Sequence, residues 1–168
     1  MLPEVSSTGE IFLKNSTRIF TILASAAFAV SAYAGSHNLV TADVNDPVSL
    51  RINLMQNAGA ATGLASGMMK GNIPFDPIAA QAALATINTA ALGLPGLFPA
   101  GMEENMRSSA GPAIWSDAAG FNSAMAKFIS DTGAAKSSAP ASVEELQAAF
   151  AAVGANCQAC HKAYRIKR

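Results

Sequence analysis

A chain of 168 residues that is half hydrophobic and only 13% charged predicts a single domain and excludes a long, highly charged disordered protein. Alanine is abundant, aromatic residues make up 7% and β-branched runs are short, a balance that favours helices over sheet. The formal net charge is zero, so no overall basic field points to nucleic acid.

Lys14 and Arg18 precede an apolar, small-residue run from Ile19 to Ala34 that ends in Ala32-Tyr33-Ala34. A basic flank, an apolar stretch and a small-x-small cleavage site make a secretory signal peptide. The run is 16 residues, short of the ~18–20 of a membrane span, so length and cleavage site both oppose an uncleaved anchor. The ten residues before Ile11 are polar and match no part of a signal. Residues 1–34 are therefore expected to be an N-terminal extension with a cleavable signal peptide. Residues 35–168 are the expected periplasmic domain, with no stable membrane span. That domain carries nine acidic and nine basic residues, but four of the nine positive charges (Lys162, Arg165, Lys167 and Arg168) crowd its end.

Asp46-Pro47 is a helix start, a capping carboxylate followed by proline at the first helical position. Leu50, Leu54, Ala58, Ala61, Ala65 and Met68 then recur at spacings of three and four until Gly71 stops the run. Asp76-Pro77 repeats the start signal for a second helix, whose inward stripe is Ala80, Leu84, Ile87, Ala91 and Leu94; Leu94-Pro95-Gly96 ends it. After a loop to about Gly111, Pro112 opens a third helix with Ile114, Ala118, Phe121, Met125, Phe128 and Thr132 on one face, ended by Gly133 and the Ser137-Ser138-Ala139-Pro140 stretch. Ser142 and Glu145 form a capping box for the last helix, with Val143, Leu146, Phe150, Val153, Cys157, Cys160 and Tyr164 inward. Four amphipathic helices with mostly short connections predict an all-α, up-down-up-down antiparallel four-helix bundle. Small residues on the inward faces (Ala58, Ala61, Ala91, Ala118) leave space that a flat cofactor would fill.

Cys157-Gln158-Ala159-Cys160-His161 is the attachment signature of c-type haem. Positions i, i+3 and i+4 share one helix face, so two thiols bond the vinyl groups while the adjacent imidazole reaches the iron. A structural disulfide closing so small a loop on a helix confers little entropic advantage. A thioredoxin-like dithiol belongs at a helix start after a strand, and a zinc site lacks ligands, the only other histidine being His37. The motif implies one covalently bound haem c, with His161 as proximal ligand.

With this motif followed by Tyr164-Arg165, with Arg51 and Met55 one turn apart in the first helix and Ile114-Trp115 opening the third, the mature chain resembles the cytochrome c-prime family. The resemblance implies a four-helix haem protein of electron transfer or gas binding, often dimeric. Members divide by the sixth iron ligand: high-spin members place an apolar residue over the distal face, low-spin members a methionine. In the family pattern a basic residue of the first helix meets a haem propionate and the distal residue follows one turn later. Arg51 matches the first position and Met55 the second.

Antiparallel pairing of the first and last helices also brings Met55 and His161 to the same end of the bundle. Met68 and Met69 lie 13 and 14 residues further along, ~20 Å at ~1.5 Å per residue, and Met125 is similarly deep in the third helix. The loop methionines Met102 and Met106 return to the haem end and compete with Met55. A guanidinium suits a carboxylate at a buried edge, so Arg51 and Arg165 are propionate candidates, against the alternative of a solvated helix surface. Trp115 and Phe121 read as core.

The sequence thus supports an electron carrier, its iron ligated by His161 and Met55, that docks redox partner proteins as a monomer or homodimer. The alternative is a high-spin gas-binding (NO/CO) haem protein with an open distal site. No nucleophile–base pair or carboxylate cluster indicates an enzyme.

Overall fold

The computed structural model describes residues 45–103, 105 and 107–167. The expected signal segment, His37, Met106 and Arg168 lie outside the described residues. Five helices follow in order, α1 (Pro47–Met69), α2 (Pro77–Gly93), α3 (Ala113–Ser116), α4 (Ala118–Ser137) and α5 (Val143–Tyr164). The four long ones form the bundle; α3 is a single turn before α4.

The start signals work as their chemistry dictates. Asp46 accepts hydrogen bonds from the Val48 and Ser49 amides and, at 2.6 Å, from the Ser49 hydroxyl, with Pro47 at the first helical position. The same carboxylate takes Arg107 Nη2 at 2.9 Å, tying the loop after α2 to the start of α1. The Ser49 hydroxyl above all, with Arg107 and the two amides, holds the Asp46 pKa at about 2. At the other end of α1 the Gly71 amide donates to Met68 O and the Asn72 amide to Gly67 O, with Gly71 at φ 73°. This is a Schellman cap, which needs the left-handed conformation that glycine adopts without strain. In α5, the Glu145 amide donates to Ser142 Oγ, but Glu145 Oε2 reaches back to the Ala141 amide, one residue outside the usual capping box.

The third helix departs from expectation in three ways. Asp117 leaves helical geometry (φ −123°, ψ 54°) and caps a new helix by accepting from the Gly120 amide, so the expected single helix is α3 plus α4. Ala118, expected inward, is exposed because it opens α4 at the end of the bundle. Gly133 does not stop the helix: Ala134, Ala135 and Lys136, strong helix formers, carry it to Ser137, where the Ser137–Pro140 stretch ends it as expected.

Around the ring α1 packs on α2, α2 on α4 and α4 on α5, while α5 returns to α1 over only a narrow contact. One half of the bundle closes on itself, with Ala65, Met68, Ala80, Leu84, Leu146 and Val153 almost wholly buried. A second cluster of Leu94, Ile114, Phe121 and Met125 lies against Leu54, Met55, Phe98 and Tyr164.

The end of α5 is clipped to the preceding loop. The Gly111 amide donates to Tyr164 O at 2.8 Å and the Ile166 amide to Ser109 O at 3.0 Å, a short antiparallel bridge. Tyr164 OH donates to Asp117 Oδ2 at 3.0 Å, joining the end of α5 to the start of α4. Gly120 permits this approach, since a Cβ there would overlap the Asp117 carboxylate and stand 2.7 Å from Tyr164 Oη. Gly120→Ala is therefore expected to cost about 1–3 kcal/mol in denaturant unfolding, as overpacking does. Tyr164→Phe added to that variant should cost less than it does alone, because the bond it removes is already broken; additive costs would show that Gly120 does not act through Tyr164.

Candidate haem site

Where α1 and α5 fail to close, the bundle contains a largely apolar cavity of about 590 Å3. That volume lies within the ~300–1,000 Å3 typical of cofactor and ligand sites. Its walls come mainly from α1, α4 and α5, with Ile87 of α2, Ile114 of α3 and the loop between those two helices completing them.

α5 supplies Cys157, Cys160 and His161 to one wall. The two thiols form no disulfide and are half-buried, and burial pushes their pKa values up, with the neighbouring Cys157 adding to the effect on Cys160. That is opposite to the depressed pKa of a redox-active dithiol. His161 is exposed as a residue but borders the cavity; desolvation, then the nearby Arg165, pulls its pKa down and favours the neutral imidazole that metals bind.

α1 contributes Arg51 and Met55, one turn apart on the wall of the same cavity. Arg51 is buried, 4% exposed. Its Nη1 donates to Leu97 O at 2.9 Å and its guanidinium carbon stands 4.9 Å from the centre of the Phe98 ring. Nε and Nη2 are buried without a hydrogen-bond partner. Desolvation lowers its pKa, with Asp46 opposing. Buried donors left unpaired are costly, and on a cavity wall they mark a place for an anionic group of a ligand. Arg165 also borders the cavity but is exposed, and its Nε donates to Ser109 Oγ at 3.2 Å.

Of the other methionines, Met68 belongs to the closed half and Met102 lies outside the cavity wall. Met125 also borders the cavity. The cavity runs along the bundle as far as Thr62 and Ile87, so it takes in the middle of α4. Phe121 serves both as core and as cavity wall, stacking edge-on with Phe98 (4.9 Å) and Tyr164 (5.3 Å). Trp115 is half-buried and donates from Nε1 to Pro99 O, outside the cavity wall. Sequence reasoning missed Asn156, which is 7% exposed and lines the cavity beside Cys157. Its spacing, three after Val153 and four before Cys160, placed it near the inward stripe, but its polar side chain concealed it.

The cavity fits haem c on the chemistry of its donors: two adjacent thiols on one helix face, an imidazole beside them, an apolar interior and a guanidinium with free donors for an acidic edge. Comparison with known proteins agrees. The sequence model described as cytochrome C' matches residues 46–165. Cytochrome c-556 of Agrobacterium tumefaciens (strain II Chrys) is 38% identical over 121 residues, covering 72% of this chain and 98% of that protein. The structure of cytochrome c' from Rhodopseudomonas palustris superposes with a TM-score of 0.68 at 32% identity, covering 73% of this chain and 98% of that one. The oxidised cytochrome c556 of the same organism gives 0.65 at 31%, with the same coverage. The chain carries one covalently bound haem c, the two cysteines of the motif being present, and it belongs to the cytochrome c' family.

Proposed function

We propose that this protein is a periplasmic electron carrier, not an enzyme, in which Cys157 and Cys160 hold the haem, His161 and Met55 ligate its iron, and Arg51 and Arg165 meet its propionates. The observation that carries the reading is the meeting of Met55, from α1, with Cys157, Cys160 and His161, from α5, on one cavity wall system. Arg51 supports it, with two buried donors awaiting an anion. Haem c, when bound, supplies an iron centre that changes oxidation state, and a thioether ligand tends to raise its potential. The protein's part is to exclude water with Phe98, Phe121 and Leu94, to keep His161 neutral, and to satisfy negative charge at the edge with Arg51.

The export signal ending at Ala34 is the ground for placing the protein in the periplasm; among the described residues no helix is long and apolar enough to cross a membrane. Lys162, Arg165 and Lys167 are exposed at and just beyond the end of α5, where Arg165 borders the cavity, a basic segment suited to acidic redox partners. Electron-transfer rates with such partners should fall as added salt shortens the Debye length below ~8 Å, and salt-independent rates would leave the patch without this role.

The relatives include both cytochromes c-556 and cytochromes c', so an open distal face for gas binding is the competing reading. Met55→Leu separates the two. Wild-type ferric protein is expected to be low-spin and, once reduced, to bind carbon monoxide poorly. The variant keeps nearly the same volume, so its stability should fall by less than ~1.5 kcal/mol while the iron turns high-spin and carbon monoxide binds readily. Met125→Leu, at the other cavity methionine, should change neither property. A spin change in that variant instead would reassign the ligand, and high-spin wild-type protein would favour the gas binder.

Folding should also depend on the haem. At ~24 cal/mol per Å3, an empty apolar space of this size costs on the order of 10 kcal/mol, comparable to a domain's whole stability of ~5–15 kcal/mol, although an open mouth reduces that cost. The haem-free Cys157→Ser/Cys160→Ser chain should therefore show weak near-ultraviolet circular dichroism and a broad thermal transition. A sharp, holo-like melt would refute the dependence.

A further inference from the structure

Haem attachment leaves two buried polar side chains of the cavity wall unused, Ser108 and Asn156, and only Asn156 lies on the helix that carries the cysteines. Asn156 immediately precedes Cys157, and its Nδ2 donates to Ala152 O at 2.9 Å within α5 and to Asp131 Oδ2 at 2.6 Å on α4. Both partners are acceptors, which fixes the amide with its NH2 group turned toward them. Its carbonyl oxygen is then the end left for the cavity that Asn156 lines. The same Asp131 oxygen accepts from Lys127 Nζ at 2.6 Å, and the Lys127 side chain is 66% exposed. A hydrogen-bonded line thus runs from a solvent-facing cation, through a carboxylate, to an amide at the haem-bearing wall.

We propose that Asp131, acting through Asn156, is a potential-setting residue: the carboxylate orients and polarises the amide, whose carbonyl end stabilises the oxidised, more positive haem beside Cys157. The inference rests on the haem being attached at Cys157 and Cys160. Asp131 is suited to this because the hydrogen bond from Lys127, then that from Asn156, lowers its pKa and keeps it ionised. Asn156 is suited because it is 7% exposed, so its dipole is weakly screened. Groups beyond the direct ligands are a recognised means of tuning a metal centre. Lys127 opposes the carboxylate and limits its effect.

A bond that merely ties α5 to α4 would affect stability and leave the potential alone. The test is a spectroscopic redox titration of holo-protein with covalently attached haem. Asp131→Asn keeps the shape and an acceptor for Asn156 while removing the charge. Its midpoint should move to a more positive potential, lowering the oxidised-to-reduced ratio severalfold at any fixed potential. Lys127→Gln, at an exposed position that the fold tolerates, should move it the opposite way. Replacing Asn156 with alanine should reduce the Asp131→Asn shift to less than half. Unmoved midpoints in both charge variants, with haem spectra like wild type, would overturn the proposal while leaving haem attachment intact. An Asp131→Asn shift undiminished without Asn156 would overturn the relay. Wild-type protein lacking covalent haem would overturn both this proposal and the reading beneath it.

Discussion

Between Ala58 and Gly67, seven of the ten residues of α1 are alanine or glycine, and the volume they fail to supply shapes everything around them. Packed helices fill the space between axes ~8–10 Å apart with interlocking side chains. Against α2 the shortage is harmless, because the partner is also small: Ala61 and Ala65 share a closed core with Ala80 and Ala83. Against α5 it is not, because α5 is held by its long contact with α4 and cannot move in to compensate. Ala58 and Gly59 consequently face open space, and the cavity results from one helix being too thin for its second neighbour.

Arg51 gives that space its polarity. A guanidinium at 4% exposure, with one hydrogen bond to Leu97 and an aromatic ring beneath it, is incompletely satisfied by the protein alone. Replacing it with an apolar residue would remove that cost from the bare chain, as it often does for buried charges. Its presence makes sense when the occupant brings an acidic edge, and the Asp46–Arg107 pair braces the same region by holding the loop carrying Leu97 and Phe98 near the start of α1. Cavity and cation therefore select an occupant together: flat and apolar through most of its body, anionic at one side.

Much of this was legible in the sequence because it depended on local rules. Asp46-Pro47, Asp76-Pro77, Gly71 and Ser142 act over three or four residues, and each marks a helix end that the structure contains. The cysteine motif needs only helical spacing to gather Cys157, Cys160 and His161. What escaped were features set by tertiary context. The apolar period runs unbroken from Ile114 through Phe121, hiding a break at Asp117 that becomes favourable once Tyr164 supplies a partner for its carboxylate. That Met125 borders the cavity was not legible either, because axial distance along a helix says nothing of how deep a neighbouring cavity extends. That Arg51 is buried, not on a solvated helix surface, could not be read from its local sequence. Asn156 needed Asp131, 25 positions earlier, before a polar residue on an inward stripe made sense.

The position of His161 poses a problem that the clip at the end of α5 answers. It lies three residues before the helix ends at Tyr164, in the last turn, where backbone hydrogen bonds are fewest and fraying is common. An axial ligand there would lose its aim with each opening of the turn. Three separate connections oppose this: the Gly111 amide of the loop donates to Tyr164 O, the Ile166 amide donates to Ser109 O of the loop, and Tyr164 OH bonds to the cap of α4. Two of them depend on close approaches that a side chain would obstruct, at Gly111, where a Cβ would stand 3.1 Å from Tyr164 O, and at Gly120. The long connection between α2 and α3 is thus more than a link between helices. Its end, residues 108–111, supplies backbone partners to Tyr164 and Ile166 where α5 no longer continues.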